Sequence, residues 1–225
     1  MKKLFVSIFV AALMLLGTRA QAQLVVGGGY LHSIESTKNT SNNTATGNPE
    51  HLKGFYLGAS YNIPLAGVLG VAPGFYMDML FQEERYSNGA SILGQIISGT
   101  ATSRYTELAF NVPVNLTLTF EMGSNAKFFA YAGPVFQVGA FSRSTYHGAV
   151  QIGPIHYNEG DSYNHYDPEK GDTNLFNIYL GGGVGVQVGD IQFMVGYDHN
   201  LLDCDRLDGF VTNRNQIKGG INLAF

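Results

Sequence analysis

Apolar and polar residues alternate along residues 106–120, which read TELAFNVPVNLTLTF. Every second residue from Leu108 to Phe120 is apolar, and the residues between them are polar or small. Successive side chains of a strand point to opposite faces, so this period of two predicts a β-strand. The run of about fifteen residues exceeds the ~5–6 that are usual in soluble strands. It is long enough to cross a bilayer, which takes about 9–11 tilted residues.

The same period recurs along the rest of the chain and predicts eight strands. They cover about residues 24–32, 54–65, 68–82, 106–120, 127–143, 175–188, 191–200 and 214–225. Short turns at 66–67, 123–125 and 189–190 alternate with long polar loops at 33–53, 83–102, 144–173 and 201–213. Outer-membrane barrels combine an even strand number with short turns at one end and long loops at the other. The pattern therefore predicts an all-β fold, an eight-stranded antiparallel transmembrane β-barrel in up-and-down order.

A soluble eight-stranded barrel of lipocalin type is the alternative, with its apolar faces turned inward. Alternation by itself does not say which face is the inner one. Strand length, loop asymmetry and the aromatic residue at the end of the last strand favour the membrane barrel. In the fifth predicted strand, Tyr131, Gln137 and Arg143 indicate the polar, inward face.

The N-terminal residues have the pattern of an export signal. Lys2 and Lys3 precede an apolar run from Leu4 to Leu16, and Ala20-Gln21-Ala22 fits a cleavage site. We therefore expect a signal peptide at 1–22, cleavage after Ala22 and one outer-membrane barrel domain at 23–225. The run is too short for a spanning helix, which takes about 20 residues.

Composition narrows the range of partners. Without the signal peptide, ten basic and 17 acidic residues remain, a net charge of −7, so a basic footprint for nucleic acid is absent. A single cysteine, Cys204, excludes an intramolecular disulfide framework. Aromatic residues near the predicted strand ends suit the two interfacial girdles of a barrel. These residues are Tyr30, Phe81, Tyr105, Phe120, Phe128, Phe176 and Phe225.

Five charged side chains fall on predicted inner faces: Asp78, Glu107, Asp198, Arg214 and Lys218. The interior of an eight-stranded barrel is just wide enough to be filled by side chains. Charges buried there need partners, because each unpaired one costs several kcal/mol. We expect Glu107 and Asp78 to pair with Lys218 or Arg214, either as a structural plug or as a gate across a narrow pore.

Other chemically able residues do not form a known motif. His147, His156 and His165 lie in one predicted loop with Asp161 and Asp167, but their spacing matches no metal site and predicts a solvated loop. The acidic run DCDRLDG, residues 203–209, departs from the calcium-loop pattern. His32 and Ser33, like Asp198 and His199, are adjacent in a strand and point to opposite faces. The glycines at 181–185 lie inside a strand with no helix after it, so they do not bind a dinucleotide.

Four segments resemble the PorT-like outer-membrane β-barrel family of Bacteroidetes-type bacteria. They are YTELAFNVPVNLTLTF, KFFAYAGPVFQVGA, VGYDHNLLD and the C-terminal QIKGGINLAF. The resemblance implies a small single-domain barrel in the outer membrane and carries no catalytic or ligand residue onto this chain. The last strand also resembles the terminal strand of such barrels, whose final aromatic residue, here Phe225, is read by the barrel-assembly machinery.

We expect a non-enzymatic role, either structural or in surface binding of an extracellular ligand or protein partner through the long loops. The expected partners are outer-membrane lipid and the barrel-assembly machinery, without nucleic acid, metal or cofactor. Two alternatives stay open: a narrow solute passage gated by the interior charges, and a lipid-modifying outer-membrane enzyme, which would need a nucleophile beside a base.

Overall fold

The computed structural model describes residues 22–42, 44–92, 95–152 and 155–225, with side chains except at 89–98 and 151–156. The predicted signal peptide, apart from Ala22, lies outside the described residues. Within those ranges, no helix is long and apolar enough to cross a membrane.

The described chain consists of strands and their connections. The strands are β1 (Gln23–Asn39), β2 (Thr44–Ala45), β3 (Glu50–Ala66), β4 (Leu69–Ile92), β5 (Gln95–Glu121), β6 (Ala126–Ile152), β7 (Ile155–Asn164), β8 (Phe176–Val188), β9 (Ile191–Asn200) and β10 (Phe210–Ala224). Eight of them pair in the order β1-β3-β4-β5-β6-β8-β9-β10. The last pairs with the first along Val25–Asn39 and closes the sheet. The predicted eight-stranded antiparallel barrel is confirmed, and β2 and β7 are additions to β1 and β6.

The barrel carries its apolar faces outside and its polar faces inside. On β5, Leu116 is 58% exposed whereas Asn111 is 1% exposed. Exposed large apolar side chains lie on all eight barrel strands. This is the side-chain arrangement of a transmembrane barrel and the opposite of a lipocalin. Of the predicted girdle residues, Tyr30, Phe81, Phe120, Phe176 and Phe225 are exposed and Phe128 is half-buried, but Tyr105 lies inside and hydrogen-bonds Glu107.

Glycines on inward faces make room for aromatic rings in the lumen. A Cβ atom at Gly183 would collide with the Tyr131 ring, and one at Gly220 would collide with the Tyr56 hydroxyl. Gly185 faces Phe129 in the same way. The narrow interior is therefore filled by large side chains that pack against glycines.

Two of the predicted long loops are mostly strand, and the loop predictions for 83–102 and 144–173 are wrong in this respect. β4 and β5 pair out to Ile92 and Gln95, and the end of β6 pairs with β7. At this level β4, β5, β6 and β7 form a sheet that extends beyond the barrel. Both faces of such a hairpin meet water, so its sequence lacks the apolar period of two from which strands are predicted. The first loop is also shorter than predicted, since β1 continues to Asn39 and β3 begins at Glu50.

A β-bulge in β6 reverses the direction of its side chains. Leu108 of β5 lies opposite Phe141 and Ala109 lies opposite Gly139, which leaves Ala140 as the extra residue. Beyond the bulge Ser142 and Ser144 are buried and Arg143 is exposed, with its guanidinium carbon 5.5 Å from the ring centre of Phe141. The prediction that Arg143 faces inward is therefore wrong, because alternation was extended across the bulge.

The glycine–aromatic packing predicts a position-specific effect. Gly183→Val should displace the Tyr131 ring and destabilise the barrel by about 1–3 kcal/mol, the usual cost of overpacking. Gly219→Val is the matched control, because Gly219 has no atom closer than 4.0 Å to its Cβ position. Urea midpoints of the fast-migrating folded band on unboiled gels measure both, and equal midpoints would contradict the packing role.

Candidate functional site

Arg214 joins two carboxylates across the lumen. Its Nη2 lies 2.5 Å from Glu35 Oε1, and its Nη1 lies 2.6 Å from Glu107 Oε1. β10 places Arg214 directly opposite Glu35 of β1, and Glu107 reaches it from β5 across the barrel. All three side chains are largely shielded from water, and the guanidinium is held by a charge-assisted hydrogen bond to Glu107 and a salt bridge to Glu35.

Lys218 forms a second ionic group, four residues beyond Arg214 on the same face of β10. Its Nζ lies 2.8 Å from Asp198 Oδ2 and 3.5 Å from Asp78 Oδ2. The ammonium also lies 5.9 Å from the centre of the Tyr56 ring, within reach of a cation–π interaction. The structure thus places the five predicted interior residues in the lumen and divides them between two groups. Glu35 was missed, because residues 33–53 were predicted to be a loop.

Hydroxyl and amide groups complete a layer between these charges. Tyr105 and Tyr166 donate hydrogen bonds to Glu107, and Tyr179 donates to Gln137 at 3.1 Å. Gln137 in turn donates to Asn111. Leu31, Leu52 and Leu80 pack with Tyr56 on the other side of the lumen. The layer leaves little room for water at this height of the barrel.

Two cavities lie on either side of this layer. The one toward the short turns has a volume of about 150 Å³ and is lined by apolar, amide, hydroxyl and charged side chains, Lys218 and Asp198 among them. The one toward the long hairpins, here called the vestibule, has a volume of about 820 Å³. They have no lining residue in common. The two cavities are therefore separate in the part of the barrel that the structure describes.

The vestibule is acidic. Arg214 and the imidazoles of His147 and His165 are the basic groups among the described lining residues. Seven carboxylates line the same cavity: Glu35, Glu50, Glu84, Glu159, Asp161, Asp172 and Asp205. Field lines concentrate in a cleft of one charge sign, which raises the local concentration of oppositely charged ligands.

The histidines singled out in the sequence have different surroundings. His165 contacts Ser144 Oγ through Nε2 at 2.7 Å and Asp172 Oδ1 through Nδ1 at 2.9 Å. His147 lines the vestibule with Asp161, and Asp167 accepts hydrogen bonds within its own turn. The side chain of His156 lies outside the described part. Sequence reasoning missed Ser144 and Asp172, since nothing in the spacing indicates that β7 folds His165 back over β6.

The other pairs behave as their strand positions require. His32 lies outside and contacts His51 at 3.2 Å, whereas Ser33 is buried. His199 lies outside and contacts Asn215, whereas Asp198 faces the lumen. In the acidic run, Asp203 accepts the backbone N–H groups of Asp205 and Thr212, which is a turn-forming role. Among the described residues, no group of three or more acidic, histidine or cysteine side chains is placed to hold a metal ion.

Cys204 is a buried thiol beside the vestibule floor. It is 2% exposed, and Asn177 Nδ2 lies 3.0 Å from its sulfur. Burial raises the pKa of this thiol to about 11. The thiol therefore stays protonated near neutral pH, and protonated thiols are poor nucleophiles.

Comparison with known proteins finds similarity in solved structures only. No family model matches the chain, and no curated protein matches it. Similar structures include Neisserial surface protein A, with 12% identity over 91% of this chain and 97% of that one and a TM-score of 0.39. Ail, the attachment invasion locus protein of Yersinia pestis, has 12% identity over 92% and 99% and a TM-score of 0.34. The outer membrane protein OprG from Pseudomonas aeruginosa has 9% identity over 92% and 97% and a TM-score of 0.38.

Removing the central cation should destabilise the barrel strongly. Arg214→Met leaves Glu35 and Glu107 buried without a counter-charge, and breaking such a pair costs about 3–5 kcal/mol. Adding Glu35→Gln and Glu107→Gln should restore most of that loss. Far-UV circular dichroism in urea measures the unfolding, because the chain has no tryptophan. Arg143→Met is the control on the outer surface, and a stability of Arg214→Met equal to that of the control would contradict the ion-pair role.

The raised pKa of Cys204 predicts an inert thiol. At pH 8 the folded protein should react with a disulfide reagent at least about a hundredfold more slowly than the chain in denaturant, because a shift of two units lowers the thiolate fraction by that factor. Cys204→Ser gives the background rate. Equal rates with and without denaturant would show that the thiol is neither buried nor shifted.

Proposed function

We propose that the protein is an outer-membrane barrel, with the long hairpins outside the cell and the short turns in the periplasm. The exposed apolar faces of the eight strands support membrane insertion, since leaving them in water costs about 25 cal/mol per Å². Short turns are the periplasmic end of bacterial outer-membrane barrels. In this orientation, the vestibule opens to the medium.

The separation of the two cavities supports a role in binding rather than in transport. Arg214 lines the vestibule and Lys218 lines the other cavity, so the two ionic groups lie where the cavities approach each other. Each group is held on two sides, so opening a passage would separate buried charges from their partners. We therefore assign these groups to the stability of the barrel and the vestibule to ligand contact.

The excess of carboxylates indicates the charge of the ligand. Seven acidic groups face the vestibule against Arg214 and two histidines, and this is the observation on which the proposal rests. A cationic ligand, such as a basic peptide or a polyamine, would be attracted at long range and neutralised at contact. An anionic ligand would be repelled.

Binding of a fluorescent oligolysine peptide to the detergent-solubilised protein tests the proposal. We expect binding at low salt that weakens as salt screens the charges. The double variant Glu84→Gln/Asp161→Asn should bind about tenfold more weakly, since an exposed ion pair contributes up to about 1 kcal/mol. Fluorescence anisotropy at two salt concentrations measures the change.

The control carries the same change in net charge away from the vestibule. Glu121→Gln/Asp190→Asn alters two exposed carboxylates at the short-turn end and should leave the affinity unchanged. Equal weakening in both double variants would assign binding to net charge alone. Absence of binding to the wild-type protein would exclude the proposed ligand class.

A further inference from the structure

The wall of the vestibule carries a series of side-chain contacts that runs from Ser144 through His165 to Asp172. The contacts from Ser144 Oγ to His165 Nε2 and from His165 Nδ1 to Asp172 Oδ1 measure 2.7 and 2.9 Å. Nucleophile and base within hydrogen-bond reach, with the base oriented by a third group, define a nucleophilic triad on any fold. Such triads are recognised by geometry and not by their order along the chain.

The bulge at Ala140 and the hairpin of β7 bring these residues together. Ser144 faces the lumen because the bulge shifts the alternation of β6 by one residue. It lies opposite Tyr105 of β5 and Tyr163 of β7. β7 ends at Asn164, and the next residue is anchored by a hydrogen bond from His165 N–H to Ser142 O of 3.0 Å.

The imidazole is fixed in position and in tautomer. The rings of Tyr105 and Tyr163 contact it edge-on, with centroids 5.3 and 4.9 Å away. The carboxylate of Asp172 accepts from Nδ1 and from the Thr173 hydroxyl. Burial acts to raise the pKa of Asp172, but its hydrogen bonds with His165 and Thr173 hold that pKa below its ordinary value. The carboxylate therefore keeps the proton on Nδ1 and leaves Nε2 free to accept from Ser144.

We propose that Ser144, His165 and Asp172 form a catalytic triad that hydrolyses carboxylic esters entering the vestibule. Ser144 Oγ attacks the ester carbonyl carbon while its proton passes to His165 Nε2. Collapse of the tetrahedral adduct breaks the bond to the alcohol oxygen, which receives that proton and leaves. Water then attacks the acyl-serine, gives its proton to His165, and releases the acid as the proton returns to Ser144.

The location of the triad selects the substrate class. Ser144 faces the lumen three residues beyond Phe141, which is exposed on the outer face of β6. A lipid in the bilayer faces the other side of the strand, so the substrate is a water-soluble ester. We expect a preference for a cationic ester, and this expectation rests on the proposed function. The assignment of Ser144 as the nucleophile does not depend on the proposed function.

Labelling with a fluorescent fluorophosphonate tests the nucleophile in the folded, detergent-solubilised protein. We expect one labelled residue, Ser144, identified by peptide mass spectrometry, and no labelling in Ser144→Ala. His165→Asn and Asp172→Asn should slow labelling by about 10²–10⁴-fold, the usual contribution of a general base. Ser124→Ala removes an exposed hydroxyl at the short-turn end and should label like the wild type.

Each variant is first shown to give the fast-migrating folded band on an unboiled gel, so that loss of labelling reports chemistry. A folded wild-type protein that is not labelled, or a Ser144→Ala variant labelled as fast as the wild type, overturns the triad.

A second measurement separates the triad from the charge of the vestibule. Hydrolysis of acetylthiocholine is compared with that of its uncharged carbon isostere, 3,3-dimethylbutyl thioacetate. We expect the cationic ester to have the higher kcat/KM, by about tenfold, and the difference to shrink with salt. Equal rates together with Ser144 labelling would overturn the charge preference and the proposed ligand class but support the triad.

Discussion

Closure of β10 against β1 is the constraint from which the rest of the molecule follows. In hydrocarbon no water is present to satisfy backbone N–H and C=O groups, so a membrane sheet has to leave no edge. Eight strands meet this requirement with the narrowest common barrel, and its interior holds side chains but no wide channel. The polar face of each strand then lies in a space where charges have to find one another. Arg214 and Lys218, each held between two carboxylates, are the result.

Beyond the apolar belt, water can satisfy backbone N–H and C=O groups, so the sheet no longer has to close on itself. β6 changes partner from β8 to β7, so that its outer half belongs to a hairpin sheet and its inner half to the barrel. The turn after β7 then passes over the lumen, where Tyr166 and His165 lie above the ion-pair layer. The inner half of β6 therefore contributes to the stability of the barrel, and its outer half contributes to the chemistry of the surface.

The sequence predicts the part of the fold that the bilayer dictates. Apolar alternation from Leu108 to Phe120 identifies a spanning strand, and the short turns at 66–67, 123–125 and 189–190 fix the order of the barrel. Asp78, Glu107, Asp198, Arg214 and Lys218 are found on inner faces for the same reason. Where both faces meet water, as along residues 83–88, alternation disappears although the backbone remains paired.

The side-chain contacts of the vestibule are harder to predict from the sequence than the strands of the barrel. Ser144 and Asp172 are 28 residues apart in the chain, and their approach depends on the pairing register of β6 with β7. No residue pattern marks Ala140 as a bulge, so Arg143 was given the wrong direction and Ser144 was placed in a loop. Contacts that depend on a single inserted residue are beyond what periodicity predicts.

Because of the bulge at Ala140, the side chains that line the vestibule depend on the number of residues in β6 as well as on their identity. Deleting that one residue would leave the spanning half of β6 unchanged and reverse every side chain above it. Arg143 would then enter the vestibule, and Ser142 and Ser144 would face outward. A single-codon insertion or deletion is therefore sufficient to exchange a hydroxyl-lined wall for a cationic one. Barrels of this architecture have a route to new surface chemistry that needs no change in their membrane-spanning residues.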